Sequence, residues 1–201
     1  YLLRARLRVG LKRLNEASQD LNRVIEIDPE NDEAWQSLGR IRYEQERYSE
    51  ARSAFQKVIQ LNSNSIETHA DLALVQYLLN QRAEAIASYQ TYLVRFPDDY
   101  KVNFLLGLLY KEMDQDDLAI RHLLKAEKKD SSSVELAQEL GLLYLERNDL
   151  KNARERLLRG DQDSATNLGN LGVIAKRTGQ SLIAQQYFRR ALKKDSKNAL
   201  L

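Results

Sequence analysis

The sequence has no cysteine and only two prolines and eight glycines among its 201 residues. Without cysteine, a disulfide framework, a thiol nucleophile and a thiolate metal site are all excluded. The remaining composition is rich in Leu, Ala, Glu, Lys, Arg and Gln, which favours an all-α chain. No run approaches the roughly 18 consecutive apolar residues of a membrane-spanning helix, so we expect no membrane insertion.

Motifs of catalysis and metal binding are also missing. The patterns GxSxG, HExxH and GxxxxGK[ST] do not occur, so no motif supports a hydrolase, zinc-protease or P-loop function. Of the two histidines, we expect His69 to pack in a core or an interface and His122 to be solvated. The acidic turn around Asp114 lacks the glycine and the closing glutamate of a calcium loop. The sequence therefore predicts a protein that is not an enzyme, with no catalytic residue, no metal and no cofactor.

Positive charge is concentrated at the two ends of the chain, although the net charge is only +2. Residues 1–13 carry five basic and no acidic side chains. This distribution can orient a partner electrostatically, but it is too dilute to predict nucleic-acid binding. Basic runs such as RRALKK alternate with apolar residues at helical spacing and have no aromatic platform beside them, which is typical of a solvated helix face.

The compartment is only weakly indicated. No signal peptide is visible, and the sequence does not begin with Met. A cytoplasmic location is favoured, while a periplasmic location or membrane association through flanking segments stays open. Because Tyr1 falls inside a predicted helix and SKNALL resembles the start of a further or capping helix, we expect a fragment of a longer chain.

A period of 34 residues runs through the sequence. Its landmark is an alanine with a large apolar residue four positions later and a glycine or alanine twelve positions earlier. The landmark alanines, separated by 34, 34, 34, 34 and 31 residues, are Ala17, Ala51, Ala85, Ala119, Ala153 and Ala184. Small residues let two helices approach closely while large ones fill the space between them. Each period is therefore predicted to form a helical hairpin.

The segment DEAWQSLGRIRYEQERYSEARSAFQKVIQL carries the clearest copy of this pattern. In this segment the family-typical positions are occupied by Trp35, Leu38, Gly39, Ala51 and Phe55. The sequence therefore resembles the tetratricopeptide repeat (TPR) family, and the resemblance covers essentially the whole chain. The resemblance implies an all-α fold, a right-handed superhelical solenoid of about six tandem helix-turn-helix units. We expect a single repeat domain over 1–201, with repeats at 1–31, 32–65, 66–99, 100–133, 134–164 and 165–198.

The resemblance also implies that the first helix of each repeat lines a concave surface. Positions two before, two after and five after the central leucine of a first helix share one face, which we call the inner face. The partner-binding residues expected there are Arg6, Arg40, Tyr43, Leu74, Tyr77, Phe104, Leu108, Lys111, Leu142, Leu145, Val173 and Lys176. Two interpretations of its leucine-rich middle stay open: neighbouring first helices bury these positions against each other, or they line a groove.

The predicted function is a scaffold or adaptor that binds a helical or extended protein segment, with an apolar face, in this groove. Chaperone-binding members of the family hold a peptide carboxylate with Lys, Asn, Asn, Lys and Arg. The residues at those sites here are Gln36, Arg40, Asp71, Lys101 and Leu105. This carboxylate clamp is therefore absent. Two alternatives stay open: a targeting or substrate-recruiting arm of a larger enzyme, and a self-associating assembly protein.

The stretch LLRGDQDSATNLGNLG interrupts the period. Fifteen residues separate Leu157 from Gly172, whereas eighteen separate the equivalent Phe55 and Ala73. The loss of three residues predicts that the second helix of repeat five is shorter by nearly one turn. Gly160 then favours an early helix end, and Asp163 or Ser164 can cap the next helix. We also expect repeat six to be rotated or shifted relative to its neighbours.

Overall fold

The structure is a computed structural model that describes the backbone of residues 1–198 and the side chains of residues 1–195. All regular secondary structure in this described part is α-helical. The helices are α1 (Leu2–Gly10), α2 (Leu14–Ile27), α3 (Asp32–Glu44), α4 (Tyr48–Leu61), α5 (Ile66–Leu78), α6 (Arg82–Arg95), α7 (Tyr100–Glu112), α8 (Asp116–Lys129), α9 (Val134–Glu146), α10 (Leu150–Arg159), α11 (Ala165–Arg177) and α12 (Ser181–Asn198). The expected all-α architecture of tandem helical hairpins is confirmed. The expectation of a further helix at SKNALL extends to 199–201, which lie outside the described residues.

The helices form two compact units, Tyr1–Pro97 and Asp98–Leu201. Odd-numbered and even-numbered helices pair as hairpins in both units. In the first unit, α2 also packs on α3 and α4 on α5, so three hairpins form one stack. In the second unit, α8 packs on α9 and α10 on α11 in the same way. Apolar side chains are therefore buried between neighbouring hairpins, as in one cluster with Leu21 and Ile41 and another with Phe55 and Leu72.

Small residues on the first helices create the close contact within a hairpin. A Cβ atom built on Gly39 would lie 2.6 Å from Cε1 of Phe55, and one built on Gly172 would lie 2.6 Å from Cε1 of Phe188. The landmark alanine Ala51 is fully buried beside Phe55, which is itself 1% exposed. The period seen in the sequence is therefore a packing repeat, in which a large side chain fills the space left by a glycine.

Each hairpin turns through one residue in the left-handed backbone region. Five of these residues have side chains and φ between 56° and 61°: Lys12, Glu46, Asn80, Asp114 and Asn148. The sixth is Gly179, with φ of 77°. The next residue donates its N–H to a carbonyl near the helix end, as Arg47 does to Arg42 at 2.8 Å. This conformation ends the first helix and reverses the chain.

The second helix of the fifth hairpin is short. Helix α10 has 10 residues, whereas α2, α4, α6 and α8 have 14 each. It ends at Arg159 with Gly160 as its C-cap, and Ser164 caps α11 by accepting a hydrogen bond from the N–H of Asn167. The predicted shortening, helix end and cap are confirmed.

The expectation that His122 is solvated is wrong. Its ring stacks on Tyr110 with centroids 5.5 Å apart, and its Nδ1 lies 2.9 Å from Oδ1 of the buried Asn103. Burial, reinforced by the nearby positive charges of Lys125 and Arg121, lowers the pKa of His122 to about 4. The neighbouring basic residues suggested an exposed face, but position 122 follows the buried landmark Ala119 by three residues and faces α7.

Candidate partner-binding face

The inner face of the first unit is polar and accessible. Arg6 on α1 and Arg40 on α3 are exposed, while Tyr43 on α3 and Leu74 and Tyr77 on α5 are partly buried. These residues come from the three first helices of the stack. Each keeps part of its side chain open to a ligand.

Arg6 and Arg40 are brought together at a cavity. This cavity, of about 240 Å³, is lined by Ala5, Arg6, Val9, Leu21, Ser37, Arg40, Ile41 and Glu44. Its apolar surface comes from α1, α2 and α3, and the two guanidinium groups belong to exposed side chains. The sequence register predicted the two arginines, but the cavity also depends on Val9 and Ser37. Val9 and Ser37 are smaller than the residues at the equivalent positions one repeat later, which are Tyr43 and Asp71 respectively.

Hydrogen bonds link neighbouring first helices across the first unit. Asp71 on α5 accepts hydrogen bonds from Nε2 of Gln36 at 2.8 Å and from Arg40 at 3.2 Å. The hydroxyl of Thr68 donates to Oε1 of Gln36 at 2.9 Å, and Arg6 pairs with Glu33. The ion pairs of Arg6 and Arg40 are exposed, and such pairs add little stability. Both arginines can therefore exchange their carboxylate partner for one on a ligand.

The inner face of the second unit is more apolar. Phe104 and Leu108 on α7, Leu142 and Leu145 on α9 and Val173 on α11 are all partly buried. The ring of Phe104 stacks on Tyr100, with centroids 6.1 Å apart and planes 6° apart. Contacts between neighbouring helices thus cover only part of these apolar side chains.

Two lysines flank this apolar surface. Nζ of Lys111 on α7 lies 2.7 Å from Oε2 of Glu139 on α9. Lys176 on α11 is exposed. The Lys111–Glu139 pair joins α7 to α9 much as the Arg40–Asp71 pair joins α3 to α5.

Sequence analysis missed the acidic members of these pairs. Asp71 and Glu139 each stand one position before the central leucine of a first helix, outside the predicted inner-face register. A search for opposite charges 28 to 31 residues apart would have found both, because Lys111 and Arg40 precede them at those separations. The signal was present in the sequence but required comparison between repeats.

Within the part of the chain that the structure describes, no group of three or more His, Asp or Glu side chains is arranged to hold a metal ion. No helix among the same residues is both long and apolar enough to cross a bilayer.

The sequence is similar to models of a repeat family. A model described as TPR repeat matches residues 39–80, and two models described as tetratricopeptide repeat match residues 1–31 and 71–99. No curated protein matches the sequence.

Several solved structures share the fold. The crystal structure of YrrB, described as a TPR protein with an unusual peptide-binding site, has a TM-score of 0.79 and 16% identity, covering 91% of this chain and 96% of YrrB. A crystal structure of the MamA protein has a TM-score of 0.75 and 21% identity, covering 85% of this chain and 95% of MamA. The structure of pilF from Pseudomonas aeruginosa has a TM-score of 0.71 and 18% identity, covering 93% of this chain and 86% of pilF. At these identities the likeness concerns the fold alone.

Proposed function

Because this chain belongs to the tetratricopeptide repeat family, we propose that it is a non-enzymatic scaffold or adaptor whose first helices bind a protein segment. The observation that carries the proposal is the exposure of the inner-face side chains. All twelve predicted partner-binding residues are exposed or partly buried and none is fully buried. The fold likeness to YrrB, which is described as having a peptide-binding site, supports the same function.

The chemistry of the inner face indicates the kind of segment that binds. In the second unit, Leu108, Leu142 and Leu145 present apolar surface that a partner can cover. Fully burying such a side chain contributes about 1.5–3 kcal/mol, and these partly buried leucines contribute less. In the first unit, Arg6 and Arg40 provide hydrogen-bond donors for acidic groups. The second unit is therefore proposed to bind a segment with an apolar face, and the first unit a segment that carries acidic side chains.

A pair of glutamate substitutions tests this function. Leu108→Glu places a charge on the inner face, whereas Val94→Glu places the same charge on α6 at a residue that is 85% exposed and outside the inner-face register. We expect both variants to keep the helical circular dichroism spectrum of the wild type. Proteins captured from a lysate of the source cells by the full chain should be lost with Leu108→Glu and retained with Val94→Glu. Retention of every captured protein by Leu108→Glu would contradict the proposal.

A further inference from the structure

The cavity of the first unit has an apolar floor and a polar rim. Ala5, Leu21 and Ile41 form the floor and are at most 2% exposed. Arg40 and Glu44 lie at the rim, and both are exposed. The cavity volume of about 240 Å³ is larger than the roughly 150 Å³ of an apolar cavity that binds benzene. The cavity therefore has room for an aromatic ring.

The equivalent site one repeat later already contains an aromatic ring of the chain itself. Val9 packs against the buried cluster that contains Ile41, and Tyr43 packs against the cluster that contains Val75. Tyr43 follows Val9, and Val75 follows Ile41, by one period of 34 residues. Because Val9 is smaller than Tyr43, it leaves open at the first site the space that a tyrosine ring takes at the second. A ring supplied by a partner would complete the same packing.

The polar side chains at this cavity favour an aromatic ring over an aliphatic side chain. Arg6 and Arg40 both line it, and an arginine guanidinium stacks on the face of an aromatic ring but has no comparable interaction with leucine. The side chains of Ser37 and Glu44, which also line the cavity, form no hydrogen bond or ion pair within the described part of the chain. Both can accept a hydrogen bond from a phenol O–H or an indole N–H.

The same two arginines stay able to bind acidic side chains. Arg6 pairs with Glu33 and Arg40 pairs with Asp71, and both arginine side chains are more than half exposed. The planar face of a guanidinium can contact a ring while its N–H groups bind a carboxylate. A segment in which an aromatic residue lies close to acidic residues therefore uses both the apolar and the charged groups of this site.

We infer that this cavity binds an aromatic side chain of the partner segment, beside the acidic side chains that bind Arg6 and Arg40. The ring contacts Val9 and Ile41, and a tyrosine or tryptophan ring also donates a hydrogen bond to Glu44. An aliphatic side chain of similar size would leave the guanidinium faces and the Glu44 carboxylate without a partner. The inference rests on the proposed function, because the ring arrives as part of a bound segment.

Peptide selection on the full chain tests this inference. The Val9→Tyr substitution fills the cavity with a ring of the chain itself. From a phage library of random dodecapeptides, we therefore expect binders that the wild type retains and Val9→Tyr does not, and we expect these binders to share an aromatic position. In such a peptide, replacing the aromatic residue by leucine should lower the affinity measured by calorimetry about fivefold or more.

Two variants assign the preference to this cavity. Val9→Tyr should fold, because tyrosine occupies the equivalent position at Tyr43. Its control Val94→Tyr makes the same substitution at a residue of α6 that is 85% exposed and should bind the peptides as the wild type does. Arg40→Leu removes one guanidinium and introduces the residue that the next repeat has at Leu74. Its discrimination between the aromatic residue and leucine should fall below about threefold.

The outcomes separate the two proposals. If the wild type selects no peptide, the proposed function fails and this inference fails with it. If the selected peptides bind Val9→Tyr equally well, or lose no affinity when leucine replaces the aromatic residue, they bind elsewhere on the inner face or through an aliphatic side chain, and only this inference is overturned. If Val9→Tyr loses the helical circular dichroism spectrum, Arg40→Leu decides instead, and undiminished discrimination by that variant overturns the inference.

Discussion

Substitution of Gly39 by alanine measures how tightly a hairpin of this protein is packed. The Cβ atom of the alanine would lie 2.6, 2.8 and 3.0 Å from three atoms of the Phe55 ring. Phe55 is 1% exposed and packs in a cluster with Ala51, Leu72 and Val75, so the ring has little room to move. The new methyl group therefore has to push a confined aromatic ring or widen the gap between α3 and α4.

The magnitude follows from two opposing effects. Alanine is favoured over glycine inside a helix by about 0.8–1.0 kcal/mol. Inserting a methyl group into a well-packed core costs about 1–3 kcal/mol. Gly39→Ala should therefore lower the free energy of unfolding by up to about 2 kcal/mol. Gly169 provides the matched control, because it is also inside a helix but a Cβ there meets nothing within 4 Å. Gly169→Ala should raise stability by about 0.5–1 kcal/mol.

Urea unfolding followed by circular dichroism compares the two variants with the wild type. We expect the midpoint to fall for Gly39→Ala and to rise for Gly169→Ala, with a difference of about 1–3 kcal/mol between them. Alanine does occur at the equivalent position in the third hairpin, where Ala73 is fully buried. The position therefore tolerates a methyl group when the neighbouring side chains leave room for it. If Gly39→Ala were as stable as Gly169→Ala, the reasoning from the 2.6 Å contact would be wrong.

Two further predictions concern pH and the hairpin turns. The pKa of His122 is lowered from its usual 6.5 to about 4, so between these values the unfolded chain binds more protons than the folded one. The contribution of His122 should be constant above pH 6.5 and should fall as the pH drops towards 4, by at most about 3 kcal/mol. Thermal unfolding from pH 7 to 4 measures this loss, and His122→Phe should remove most of it and leave a smaller part from His69, whose pKa burial also lowers. Gly179 has φ of 77°, so Gly179→Ala should lower the unfolding free energy by about 1 kcal/mol. Gly10→Ala, at a helical glycine with open space around it, should not destabilise, and equal effects of the two alanines would contradict the role of backbone strain.

The helical hairpins could be predicted because their signals are local and repeated. The recurrence of Ala51 and Ala85 with glycine twelve positions earlier reflects a packing rule that every hairpin obeys. The short α10 could also be predicted, because the loss of a helical turn shortens the repeat before Gly172 by a countable number of residues. Amphipathic register then placed Leu108 and Leu142 on one face, and both are partly buried rather than enclosed.

The side-chain contacts between packed helices could not be predicted from the repeat pattern. His122 sits among basic residues along the chain, but its surroundings are set by Tyr110 and Asn103 on the helix packed against it. Arg4 occupies the position at which the first helices of later repeats have a leucine, such as Leu38. In the structure it pairs with Asp20 on α2, which is 3% exposed, and this hydrogen bond lowers the pKa of Asp20.

The sequence by itself determined the hairpin pattern and the shortened second helix of the fifth hairpin. These features depend on periodicity, which is a property of the chain. Only the tertiary structure decided which polar groups find partners, from the Arg40–Asp71 pair to the unsatisfied Oδ1 of Asn167. Hydrogen bonding and burial depend on distances of a few tenths of an ångström between residues about 10 to 30 positions apart, and periodicity does not specify distances that short.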